Sequence, residues 1–204
     1  MKTVYFVRHA ESEANADPNL RTISVASIPL TEKGRAHAKA LAHDISFSAD
    51  LVVVSPFLRT KETALPYLHA HKLNNIEEWA VQEFTFLHQA KHNGTTTEER
   101  RSFAEAYWDR SDIYYKDGED SESFDEFVKR VLSIRERLIL RNEESIIIFS
   151  HGYFMRAFMF LNDVILQGVL IDEKVKRECL LDITPNTAHY ISKIKSAVLY
   201  TMKV

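Results

Sequence analysis

The chain has 204 residues, 45% of them hydrophobic and 27% charged, with a formal net charge of −3. This is the balance of one globular domain, 1–204, long enough to bury a full core. The slight acidity argues against a nucleic-acid partner, no apolar run reaches bilayer-spanning length, and a lone cysteine, Cys179, argues against a disulfide framework, so a cytoplasmic protein is expected.

Residues 2–7 form a short run of β-formers that ends at Arg8 and His9. Residues 31–45 read as a helix, with Ala36, Ala40 and Leu41 at helical spacing, and 51–54 as a buried β-branched strand. A helix follows over 57–71, with Ser55 expected as its N-cap and Pro56 at the first helical position. A strand is expected over 79–82. Residues 84–122 form an insert, with a polar stretch, a helix over 98–110 and the aromatics Phe103, Tyr107, Trp108 and Tyr115. The clearest helix begins at Ser123, where Ser123 and Glu126 make a capping box, and runs to about Leu140. Residues 145–149 are a strand, 153–161 a helix, and 187–192 and 197–202 two closing strands; 173–178 is a solvated helix face or loop.

Continuous apolar strands alternating with helices predict an α/β fold, a three-layer α/β/α sandwich with a mostly parallel central sheet and a helical cap insert. Such sheets bind ligands at the carboxyl ends of their strands. Three strands end there in polar residues: Arg8-His9 after the first, Ser55 with Arg59 one turn on after the second, and Ser150-His151-Gly152 after the third. Two guanidinium groups and two imidazoles at one rim suit a phosphate, since arginine presents a planar fork of donors. A neutral imidazole can attack phosphorus. The leaving alkoxide then needs a proton, for which Glu77, Glu78 and Glu83 are the candidates; Glu83 is preferred because it follows the expected 79–82 strand. The other seven histidines carry no such context.

Four segments carry a resemblance. Arg8-His9-Ala10-Glu11-Ser12-Glu13-Ala14-Asn15, Pro29-Leu30-Thr31-Glu32-Lys33-Gly34, Ser55 through Ala64, and Ser150-His151-Gly152 resemble, in order, the R-H-G-x-[ST]-x-x-N, P-L-T-x-x-G, S-x-x-x-R-x-x-x-T-A and S-H-G segments of the histidine phosphatase (phosphoglycerate mutase-like) superfamily, branch 1. The resemblance implies a phosphoric monoester hydrolase of the histidine acid type. His9 would be the phosphorylated nucleophile, Glu83 the proton donor, and Arg8, Arg59 and His151 phosphate ligands. Asn15 would hold a phosphate oxygen or orient His9, and Ser12 would add a hydrogen bond. It implies no metal and no cofactor, a small-molecule phosphate ester as partner, and a substrate pocket under the insert, with Trp108 and Tyr115 expected to line it. Ala10 stands where glycine is commoner, so an ordinary backbone is expected there. A phosphoglycerate mutase, a phosphoprotein phosphatase and a catalytically silent phosphate-binding module are the alternatives. The oligomeric state is not legible.

Overall fold

A computed structural model describes residues 2–21, 24–185 and 199–204. One sheet contains β1 (Thr3–Arg8), β2 (Leu51–Val54), β3 (Ile76–Glu78), β4 (Ser145–Ser150) and β5 (Leu199–Lys203), in the order β3-β2-β4-β1-β5. The first four in the chain run parallel, and β5 closes one edge antiparallel to β1.

A parallel sheet covered on both faces needs apolar side chains on both, which is why its inner strands read as unbroken apolar runs. Alternate residues separate cleanly. Val4, Phe6, Leu51, Val53, Ile146 and Ile148 pack with the core of α6 (Phe124–Leu140), α7 (Gly152–Leu166) and α8 (Glu173–Ile183). Val7, Val52, Val54, Ile147 and Phe149 face the opposite way, toward α2 (Glu32–Asp44) and α3 (Leu58–His71). The result is the expected α/β/α sandwich. Ser123 caps α6 in a reciprocal box with Glu126, and the free thiol of Cys179 lies buried in the first of these cores, which pushes its pKa up.

Between β3 and α6, the 84–122 segment carries α4 (Gln89–His92) and α5 (Thr97–Arg110). The short α1 (Glu13–Ala16) follows β1. Gly34 lets the first turn of α2 lie against the backbone that leads into α1, since an added Cβ would lie 2.1 Å from the Glu11 carbonyl oxygen. That carbonyl also accepts from Thr31 N–H at 3.0 Å, and the Thr31 hydroxyl caps α2 through Gly34 N–H.

Two expectations change. The third strand is Ile76–Glu78, not 79–82, which forms loop. The apolar pattern of Trp79 and Val81 reflects burial in the core beside α6, whereas β3 itself is an exposed edge strand with little apolar signal. The N-cap of α3 is Phe57, not Ser55, and Pro56 lies outside the helix. The Ser55 hydroxyl instead accepts from Phe57 N–H at 3.2 Å in a local turn, which delays the helix. The expected closing strand at 197–202 corresponds to β5, while 187–192 lies outside the described residues.

Candidate active site

Backbone pairing stitches three strand ends into one rim. Arg8 is in register with Ser150, His9 N–H donates to Ser150 O at 3.0 Å, and Ser55 N–H donates to Phe149 O at 3.1 Å. One residue on, Ala10 N–H donates to Thr63 Oγ1 at 3.0 Å, and that hydroxyl donates to Arg59 O at 2.6 Å. Thr63 thus ties the peptide after His9 to the turn of α3 that bears Arg59. Ala10 is not among the positive-φ residues, so alanine is unstrained there.

His9 is buried, and its Nδ1 lies 2.7 Å from Ala10 O. A carbonyl only accepts, so Nδ1 carries the proton and the ring's lone pair is at Nε2. Burial first, then the Arg59 and Arg8 charges, pulls its pKa down to about 3, against the Ala10 hydrogen bond. The ring is therefore neutral across the physiological range. Because the unfolded chain binds this proton more readily, the associated stability is complete above about pH 6.5 and is lost as pH falls toward about 3.

His151 is fully buried, with its ring centroid 5.1 Å from that of His9. Arg59 Nη2 donates to His151 Nδ1 at 3.1 Å, so the other nitrogen bears the proton and donates to Ser55 Oγ at 2.8 Å. Burial, Arg59 and His9 push the His151 pKa well below its usual value. The remaining Arg59 fork donates to Val25 O at 2.7 Å. Burial lowers even this guanidinium to about 10, with Glu83 opposing and Arg8 reinforcing the shift.

Glu83 reaches the same rim without a strand beneath it. Three tethers fix its loop: Trp79 N–H donates to Val54 O at 3.0 Å, Ser150 Oγ to Val81 O at 2.6 Å, and Arg130 Nη1 to Ala80 O and Gln82 O at 2.9 and 3.1 Å. Glu83 Oε1 accepts from Tyr153 N–H at 2.9 Å and Phe154 N–H at 3.3 Å, at the start of α7. A Cβ built on Gly152 would touch Glu83 Oε2 at 3.8 Å and Arg8 Nε at 3.6 Å, so acid and arginine meet across that glycine. Burial raises the Glu83 pKa, against the pull of Arg59 and the backbone donors. Glu77 and Glu78 are elsewhere. Glu77 accepts from Trp79 Nε1, Arg137 and Arg141, each at 2.8 Å, and Glu78 pairs with Lys61.

Ser12 is buried and Asn15 exposed, and they serve each other: Ser12 N–H and Oγ donate to Asn15 Oδ1 at 3.2 and 2.9 Å. The Asn15 carbonyl therefore fixes the start of α1. Trp108 packs among Phe84, Phe86, Tyr107 and Tyr153 in the core, and Tyr115 lies under Arg110. The cavity beside Arg59 and Glu83, about 210 Å³, is walled instead by Phe57, Phe84, Phe86 and Leu87. Sequence reasoning missed Thr63 and Arg130. Thr63 stands in the Ser55–Ala64 motif, whereas Arg130 is an unmarked helix residue.

The α-ribazole phosphatase of Shigella flexneri superposes with a TM-score of 0.71 at 20% identity, covering 99% of this chain and 90% of that one. A phosphoserine phosphatase of Entamoeba histolytica, solved with 3-phosphoglyceric acid, gives 0.65 at 17% identity, covering 98% and 90%. A mycobacterial glucosyl-3-phosphoglycerate phosphatase gives 0.65 at 17%, covering 88% and 84%. At these identities the likeness is one of fold. No match is found among curated proteins. The profile of the histidine phosphatase superfamily (branch 1) matches residues 4–162, and the chain belongs to that family.

Proposed function

We propose that the protein is a phosphomonoesterase that hydrolyses small phosphorylated metabolites through a phosphohistidine on His9, with guanidinium groups rather than a metal ion neutralising the phosphate. The observation that carries this reading is the fixed His9 tautomer: Nδ1 is held by Ala10 O, so a neutral Nε2 lone pair is available beside Arg59 and His151.

A phosphate dianion is a stronger acceptor than a carbonyl or a neutral imidazole, so it takes over the Arg59 donors now held by Val25 O and His151 Nδ1. Arg8 joins from the adjacent strand end. The bound dianion also favours protonation of His151, which then adds a donor to the transferring group. The His9 Nε2 lone pair forms the N–P bond as the P–O bond to the leaving alkoxide breaks. Glu83, whose raised pKa favours the acid form, gives its proton to that oxygen. Water then attacks phosphorus and passes a proton to the Glu83 carboxylate. The N–P bond breaks with its electrons returning to Nε2, and inorganic phosphate leaves.

The test is hydrolysis of p-nitrophenyl phosphate with and without EDTA, beside His9→Ala. Turnover that survives EDTA and falls to background in the variant is expected, together with one phosphoryl mass on the His9 peptide after alkaline quench. Turnover undiminished in His9→Ala overturns the reading.

A further inference from the structure

The cavity above the rim has two parts with different chemistry. Nearest Arg59 and Glu83 it is about 210 Å³, bounded by Val25 and the rings of Phe57, Phe84 and Phe86. This is roughly the space of seven liquid waters, enough for one ring but small against drug-sized pockets. It continues past Val25, Phe57, Thr85, Gln89 and Asn93 into a wider region lined by Gln82, Ser24 and Asp120.

The polar groups of this outer region are mainly amides and hydroxyls. Its one carboxylate among the described residues is already engaged: Asp120 accepts from Gln89 N–H at 2.9 Å and Ala90 N–H at 3.0 Å, and pairs with His88. The Arg100 fork at the far end of the inner part is likewise occupied, donating to Thr95 O, Thr95 Oγ1 and Thr97 Oγ1. Gln82 is different. Its Oε1 is buried and has no hydrogen-bond partner among the described residues, although its own backbone carbonyl is pinned by Arg130. A buried acceptor left in this state costs free energy unless something donates to it.

We infer that the leaving group is a neutral, ring-bearing alcohol with several hydroxyls, such as a sugar or nucleoside, whose flat face lies against Phe57, Phe84 and Phe86 and one of whose hydroxyls donates to Gln82 Oε1. Among the described residues, a leaving group carrying a carboxylate or an ammonium ion meets no disengaged counter-charge on these walls. The inference deepens the phosphatase reading and rests on it. Gln82 acts as a specificity residue: it reads the alcohol while the adjacent Glu83 protonates the departing oxygen.

The experiment measures kcat/KM for a hexose 6-phosphate, a nucleoside 5′-monophosphate, phosphoserine, 3-phosphoglycerate and n-butyl phosphate. p-Nitrophenyl phosphate serves as the reference for the phosphatase reading itself. At least one neutral ring ester is expected to exceed both charged esters by roughly tenfold or more, and whichever ring ester leads identifies the alcohol. Gln82→Met is expected to lower the ratio of that ester to n-butyl phosphate about tenfold, mostly through KM. Both alcohols need the Glu83 proton, so a disturbance of Glu83 lowers both rates and leaves the ratio unchanged. Preference for phosphoserine or 3-phosphoglycerate, or an unchanged ratio in Gln82→Met, overturns the inference while the phosphatase reading stands. Failure to turn over p-nitrophenyl phosphate removes both.

Discussion

The rim and the 84–122 segment are held in place by different forces. At the rim, the reacting groups sit on backbone that is hydrogen-bonded strand to strand, above side chains that are completely buried. Val7, Phe149 and Ser150 have no exposed surface, and His9 and Ser55 hang from their neighbours' carbonyls. In the 84–122 segment a few backbone bonds, such as Thr97 N–H to Pro18 O at 3.0 Å and Asp125 N–H to Ile113 O at 2.8 Å, are outnumbered by side-chain contacts: the aromatic cluster around Phe84 and Trp108, and polar ties such as Glu122 to Arg130 at 2.6 Å and Arg21 to Glu99 at 2.8 Å. A scaffold of paired backbone suits chemistry that tolerates little displacement, and a scaffold of side chains can be altered one contact at a time. On the proposed reading the transferring chemistry belongs to the sheet, and the segment supplies part of the wall that meets the alcohol, Phe84 and Phe86.

Glu83 stands where the two regions meet, and its replacement sharpens the contrast most. Glu83→Gln is expected to lower kcat/KM for an alkyl phosphate by about 10²–10⁴-fold, the usual contribution of general acid catalysis. p-Nitrophenolate leaves without a proton, so kcat/KM for its ester, which ends at the phosphohistidine and excludes the later step in which Glu83 takes a proton from water, loses far less. The pH profile gives the sign: with the Glu83 pKa raised, the acid form persists above the ordinary carboxylate range, and alkyl phosphate turnover falls as pH rises through that raised value. In Glu83→Gln this basic limb disappears. Equal losses for both esters, or a basic limb that persists, removes Glu83 from the proton-donating role.

Next in size is a disturbance of the backbone scaffold alone. Gly34→Ala drives a methyl group into the Glu11 carbonyl, two residues beyond His9. Overpacking of this kind costs about 1–3 kcal/mol, read as a lower Tm, and activity should fall with it because the displaced backbone leads to His9. The smallest effect is expected in the upper region. Thr96 caps α5 in a reciprocal box with Glu99, and Thr96→Ala should cost about 1 kcal/mol of stability while leaving p-nitrophenyl phosphate turnover near wild type. A reversed order, with the α5 cap governing turnover, breaks the division between the two regions.

The rim was legible because its residues follow strands with strong apolar signals: Arg8 and His9 after 2–7, His151 after 145–149. Arg59 was legible through its motif, although α3 begins later than Ser55 and Pro56 suggest. Glu83 was reached for a partly mistaken reason. Trp79 and Val81 are apolar because α6 and the aromatic cluster cover them, a burial that looks like strand in one dimension. Its true supports, Ser150 and Arg130, are distant in the chain, and nothing local marks a helix arginine that donates to a loop carbonyl 50 residues earlier. The Asn15 carbonyl also ties down the start of α1, which the motif alone does not signal, and Trp108 packs in the aromatic cluster while lining a cavity other than the one beside Arg59 and Glu83.

Gln82, Glu83 and Phe84 are consecutive, so a hydroxyl acceptor, a proton and an aromatic wall share one short stretch of backbone. Remodelling that stretch to admit a bulkier alcohol would carry the acid away from the phosphorus. New leaving groups are therefore more readily accommodated by trimming Phe86 or Leu87, whose side chains line the chamber from beyond the pinned peptide, than by shifting the peptide itself. The molecule can broaden its diet by changing side chains, provided this loop stays where it is.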